Sequence, residues 1–123
     1  CLKCREEIPV ESLKIEGFEG DIRKLTQEEW AEIFDGGKIS TLWEARGCDS
    51  CSRTGYMGRV GIYELLSVTP EICQQIIQRA DSGSVRNLAQ TQGMRLLRED
   101  GWQKIRTGLT TLSEVLKVVR REE

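Results

Sequence analysis

Histidine is absent from the 123 residues, and proline occurs only twice. Without imidazole the chain has no side chain whose ordinary pKa lies near neutral pH and no imidazole ligand for a metal. Aromatic residues make up 6% of the chain, and no apolar run approaches the ~20 residues that a membrane span needs. No secretory signal pattern is present either. Charge of one sign is not in excess: 18 Lys and Arg stand against 20 Asp and Glu, a formal net charge of −2. That balance gives no broad electrostatic footprint for nucleic acid. A phosphate-binding loop is missing too. Gly55, Gly58 and Gly61 recur every third residue, but no Lys-Ser/Thr pair follows them, and they precede a strand-like segment rather than a helix. No ATP site can be assembled from these residues.

What is present is cysteine in pairs. Cys1-Leu2-Lys3-Cys4 and Cys48-Asp49-Ser50-Cys51 each place two thiols three positions apart. A tight turn at that spacing can direct both sulfurs at one ion, and two such turns complete the four-sulfur tetrahedron that zinc prefers. Cys1, Cys4, Cys48 and Cys51 are therefore the expected metal ligands; unrelated reduced pairs and disulfides are the alternatives. Four thiolates leave no open position for water, so the expected zinc is structural and not catalytic. Residues 5–47, between the pairs, exceed a zinc-finger gap and must fold as a small subdomain. Reduced, metal-binding thiols suit a cytoplasmic setting. A chain that opens on an expected metal ligand reads as part of a longer protein, because termini fray.

The pattern along the chain predicts a mixed α+β fold, with a zinc-stapled lobe over 1–66 and a compact helical bundle over 67–123. Residues 5–25 read as polar connection with a weak extended element at Leu13 to Ile15, closed by glycines at 17 and 20. Thr26-Gln27-Glu28-Glu29 is a capping box opening a short helix with Trp30, Ile33 and Phe34 on one face, stopped by Gly36-Gly37. Ile39 to Ala45 and Val60 to Leu66 read as strands, the second with Val60 and Ile62 inward. Thr69-Pro70 starts a helix with Ile72, Cys73, Ile76, Ile77 and Ala80 on an apolar face. Asp81-Ser82-Gly83 ends it, and Ser84 caps a second helix that finishes at Gly93. A third runs from about Leu96 to Thr107 with Trp102 and Ile105 inward. Thr111-Leu112-Ser113-Glu114 is a further capping box, before Val115, Leu116 and Val119.

Three arginines surround the second cysteine pair. Arg46, Arg53 and Arg59 would offset the negative charge of a tetrathiolate and hydrogen-bond its sulfurs, or else one of them reaches an acidic surface or phosphate of a neighbouring subunit. Cys73 reads as a small apolar core residue. Glu28-Glu29 and Glu122-Glu123 read as solvated surface, and no carboxylate pair is set up for acid–base work.

Taken together, Gly47-Cys48-Asp49-Ser50-Cys51, Thr54-Gly55-Tyr56, Gly58-Arg59, Gly61-Ile62 and Glu64-Leu65-Leu66 resemble the tetracysteine metal-binding subdomain of the type II secretion E-type and type IV pilus assembly ATPases. The later residues agree: Arg86 and Ala89, Gly93-Met94, Leu97, Asp100-Gly101, Lys104, Gly108, Thr110-Thr111 and Glu114-Val115. Leu2 departs from the proline common in the family, which leaves the ligands untouched. The resemblance implies a non-catalytic fragment following a RecA-like core that would carry ATP and Mg²⁺. The parent would be a cytoplasmic homo-hexamer working against an inner-membrane platform protein, without membrane insertion and without nucleic acid as partner. The alternatives are a zinc-knuckle module with a helical nucleic-acid-binding tail, which the acidic balance disfavours, and a chaperone-like cysteine-rich domain, which would have glycines after both knuckles.

Overall fold

A computed structural model describes residues 1–10 and 25–119. The extended element expected at Leu13 to Ile15, with the glycines at 17 and 20, lies outside the described residues. The first described element is β1, Arg5–Pro9, where the sequence reads only as connection. It pairs antiparallel with β2, Thr41–Ala45, in the register Arg5↔Ala45 through Ile8↔Leu42 to Pro9↔Thr41. Charged Arg5-Glu6-Glu7 and a terminal proline give β1 poor strand propensity; its pairing with β2 and the burial of Ile8 beside Leu42 decide the conformation instead. Antiparallel pairing sets the start of β1 beside the end of β2. Cys4 directly precedes one strand and Cys48 closely follows the other, so both cysteine turns meet at one end of the ribbon.

Helix α1, Gln27–Ile33, opens with the expected capping box: the Glu29 amide donates to Thr26 Oγ1 at 3.2 Å, and the Thr26 amide donates to Glu29 Oε2 at 2.7 Å. Ile33 and Phe34 are buried, and Trp30 stacks on Phe34 with centroids 5.0 Å apart. A 3-10 turn at Asp35–Gly37 stops the helix.

Four helices follow: α2, Pro70–Ile77; α3, Ser82–Thr91; α4, Leu97–Arg106; and α5, Leu112–Val119. Ile33 and Phe34 of the α1 segment, Leu42 of β2, Trp102 and Ile105 of α4, and Leu112, Val115 and Leu116 of α5 form one core. That core draws on residues from both sides of position 67. Helices α2 and α3 pack against each other, and their buried residues Ile72 and Ala89 stand outside it.

Four expectations need correction. Val60 to Leu66 is no strand: it has irregular backbone with Val60, Leu65 and Leu66 exposed, because no described strand offers it a ladder. Cys73 is exposed, not core, since α2 turns only Ile72 fully inward and leaves Ile76 and Ile77 outside as well. Asp81, not Ser84, caps α3: it accepts from the Ser84 amide at 3.0 Å, and Ser84 falls in the first turn. The Thr111 hydroxyl bonds to Tyr56 and Ser113 rather than serving in the expected box.

Candidate metal centre

The second cysteine turn is a short 3-10 segment, Asp49–Cys51, entered through Gly47 at φ 98° and left through Ser52 and Arg53, both at positive φ. Two hydrogen bonds hold this uncommon path: the Arg53 amide donates to the Cys48 carbonyl at 2.8 Å, and the Thr54 hydroxyl to the Cys51 carbonyl at 2.7 Å. The first turn is closed by the Cys4 and Arg5 amides donating to the Cys1 carbonyl at 3.3 and 3.1 Å.

Sulfur atoms of Cys1, Cys4, Cys48 and Cys51 lie within 4.8 Å of one another, which brings all four expected ligands to one point. Separations are 4.0 Å for Cys1–Cys48, 3.8 Å for Cys4–Cys51 and 3.7 Å for Cys48–Cys51. A tetrahedral ion with metal–sulfur bonds of about 2.3 Å has sulfur–sulfur edges of about 3.8 Å, so the cluster fits such an ion. Amides also point at the sulfurs: Cys48 N–H and Gly55 N–H donate to Cys51 Sγ at 3.2 and 3.3 Å. Chiefly through the Cys48 amide, the Cys51 thiol is pulled from the ordinary 9.0 to about 6, whereas burial pushes the Cys4 thiol up. A thiol stabilised as thiolate is already a metal ligand in waiting.

Gly55 joins this site to the fold. At φ 81° it crosses so close to Ala45 that a Cβ would lie 2.6 Å from the Ala45 Cβ, and its carbonyl accepts from the Cys1 nitrogen at 2.7 Å. Only glycine meets both demands.

The arginines are placed as follows. Glu6 and Glu44 face each other across the ladder, a repulsive pair, and Arg46 bridges them by bonding Glu6 and approaching Glu44 at 3.9 Å. Arg53 pairs with Asp49 at 2.6 Å on the open surface. Arg59 is exposed beside a groove of about 310 Å³ that also involves Cys1, Met57, Leu109 and Glu114. The guanidinium partners of Arg46 and Arg53 are carboxylates, whereas the amides of Cys48 and Gly55 serve the Cys51 sulfur.

Arg5, which the sequence did not single out, and Tyr56, quoted only within the family motif, tie the site to the helices. Arg5 donates to the Gly108 carbonyl at 2.7 Å and the Thr107 carbonyl at 3.3 Å, and its guanidinium lies over the Trp43 ring at 4.2 Å. A cation there complements the C-terminal end of α4. Tyr56 reaches Thr111 Oγ1 at 2.8 Å, ahead of α5. A lone arginine beside a cysteine carries no sequence signal of this role, since its partners lie about a hundred residues away.

Among the described residues no helix is long and apolar enough to cross a membrane. A family model described as type II/IV secretion system protein matches residues 1–117. The type II secretion system protein HxcR of Pseudomonas aeruginosa is 44% identical over 86 residues, 70% of this chain and 17% of that protein. The type IV pilus assembly ATPase PilB of the same organism is 35% identical over 124 residues, 98% of this chain and 19% of PilB. PilB of Thermus thermophilus is 44% identical over 75 residues, 61% of this chain and 8% of that protein. The chain thus spans less than a fifth of the length of each of these relatives. Paired cysteine turns, the segment between Thr54 and Leu66 and the helices beyond it fall within a single match, and the chain belongs to the type II/IV secretion system protein family.

Proposed function

We propose that this chain is the non-catalytic C-terminal region of a cytoplasmic hexameric ATPase that drives protein secretion or pilus assembly. Cys1, Cys4, Cys48 and Cys51 hold one structural Zn²⁺, while ATP and Mg²⁺ bind in a RecA-like core outside these residues. Residues 1–66 act as the metal lobe and 67–123 as the helical lobe, seated on a common core. The region contacts its own ATPase core, neighbouring subunits and an inner-membrane platform protein. Arg59 reaches a neighbour's carboxylate or phosphate, a reading supported by its exposure beside the groove.

The observation that carries this reading is the four-sulfur cluster, with backbone amides directed at it, in a chain matched to the family over residues 1–117. Among the described residues, the lobe around it contributes only a few buried apolar residues, and a metal staple supplies what so small a core cannot. Structural zinc in comparable small sites is worth about 10–16 kcal/mol at neutral pH. Such a lobe keeps its shape while a motor core changes conformation.

Metal analysis with thiol counting tests it. We expect one zinc per chain, five free thiols after chelation under denaturing conditions, and loss of the metal in Cys48→Ser. The isolated chain should not turn over ATP, whereas the full-length product of its gene should. Two disulfides, or half a zinc per chain, would refute the metal lobe. Turnover by the isolated chain would refute the non-catalytic assignment.

A further inference from the structure

The four sulfurs of the cluster are not equivalent. Cys51 is buried and accepts from the Cys48 and Gly55 amides at 3.2 and 3.3 Å. The Gly47 amide favours the Cys4 thiolate in the same way. Among the described residues no amide donates to the sulfur of Cys1 or of Cys48; each residue is half-buried, and the two sulfurs lie 4.0 Å apart. The Cys51 amide goes to the Cys48 carbonyl at 3.2 Å and not to its sulfur. The backbone also keeps the unshielded pair together. The Cys1 nitrogen donates to the Gly55 carbonyl at 2.7 Å, which anchors the first turn on the segment leaving the second.

A hydrogen bond to a thiolate draws charge from sulfur and lowers its nucleophilicity, and burial bars a reagent from it. Accessible, unshielded thiolates are the first to meet an oxidant. From this asymmetry we propose that Cys1 and Cys48 form an oxidation site for peroxides, whose product is a disulfide joining the two cysteine turns in place of the metal. The proposal rests on the reading of the cluster as a metal lobe. One of the two sulfurs attacks a peroxide oxygen; the O–O bond breaks, hydroxide leaves, and the sulfur becomes a sulfenic acid. The other thiolate attacks that sulfur, the S–S bond forms, and the S–O bond breaks with loss of a second hydroxide. Two thiolates lose two electrons in all, and peroxide is reduced to two hydroxide ions. Half the ligands are then gone, so the site releases its ion. Closure of Cys48 on Cys51, 3.7 Å away, is disfavoured because two amides shield that sulfur. A Cys1–Cys48 bridge ties the start of β1 to the end of β2, the ends that the metal otherwise holds. Peroxide thus exchanges one staple for another, whereas chelation removes the staple altogether.

Hydrogen peroxide added to the zinc-loaded, full-length product of the gene, in a Cys73→Ser background, tests this. The substitution removes an exposed thiol outside the cluster that would consume oxidant. Zinc release is followed with a chromogenic chelator, free thiols are trapped with N-ethylmaleimide, and the bridge is located by peptide mass spectrometry. We expect one zinc released for each Cys1–Cys48 disulfide formed, with Cys4 and Cys51 recovered as alkylated thiols. Hydrogen exchange of β1 and β2 should stay within about tenfold of its zinc-loaded rate after peroxide, and rise about a hundredfold or more after chelation. A bridge within either turn, a Cys4–Cys51 bridge, zinc release without a bridge, or zinc retained under excess peroxide overturns the proposal. Loss of strand protection despite the bridge overturns the exchange of staples. Zinc content measured before oxidation reports separately on the metal lobe. A zinc-free protein that still joins Cys1 to Cys48 refutes that reading alone, and a zinc-loaded one that joins other cysteines refutes the oxidation site alone.

Discussion

Cysteine has two opposite fates in this chain. Cys51 is buried, receives two backbone amides and is held near pKa 6, whereas Cys73 is exposed on α2. The spacing of the pairs is a local property, so it marks the first group directly. Whether a helix face is covered is not local, and the apolar run around Cys73 reads the same whether or not a partner lies on it. The consequence is a difference in reactivity. With zinc bound, a maleimide reagent should label one thiol of the five under native conditions, and Cys73→Ser should bring labelling to zero by intact mass. Labelling of two or more thiols in the zinc-loaded wild type would mean that the four-sulfur site is open to solvent or incomplete.

Among elements, α4 and α5 pack closely against each other. A Cβ on Gly101, which is buried in α4, would lie 2.6 Å from Val115 Cγ1 of α5. Two effects of Gly101→Ala oppose each other. Alanine favours a helix interior over glycine by about 1 kcal/mol, while forcing a methyl group into a packed core costs about 1–3 kcal/mol. Valine has no flexible end to swing aside, so the clash prevails. We expect Gly101→Ala to lower stability by about 1–2 kcal/mol in denaturant unfolding, and Val115→Ala in the same background to cost less than it does alone. Stabilisation by Gly101→Ala would show that the helices separate more readily than their packing implies. The capping box of α1 and the Thr69-Pro70 start of α2 belong to the same scale but involve neighbours within three residues, which is why the sequence already displays them.

On the scale of the whole molecule, the four-cysteine cluster and the helices are mechanically joined. Arg5, one residue after Cys4, grips the carbonyls beyond α4, and Tyr56, shortly after the second turn, grips Thr111 ahead of α5. Leu42 of β2 shares its core with Trp102 and Leu116. Chelation should therefore remove protection from both cysteine turns, from β1 and β2, and from the C-terminal end of α4. The α2–α3 pair, whose buried residues stand outside that core, should keep its protection. Hydrogen exchange with and without chelator reads this out. Loss confined to the two turns would show that the joints transmit nothing, and equal loss in α2 and α3 would show a single cooperative unit.

Features set by chemistry within a few residues were legible without coordinates. They include the two cysteine turns, the capping box at Thr26, the Thr69-Pro70 start, the glycine stops at Gly36-Gly37 and Gly108, and the inward Trp102 and Ile105. Family membership was legible for the same reason, because it resides in ordered short motifs. Tertiary structure decided what depends on a distant partner. It made a strand of charged Arg5–Pro9, since β2 offered hydrogen bonds and Leu42 a place for Ile8. It withheld one from Val60 to Leu66, where the described residues provide no edge. It gave Arg46 to the facing carboxylates of Glu6 and Glu44, and Arg5 to the end of α4. A propensity is a property of the residue, whereas a ladder, a buried face or an ion pair belongs to two segments at once, and only folding brings the second one near.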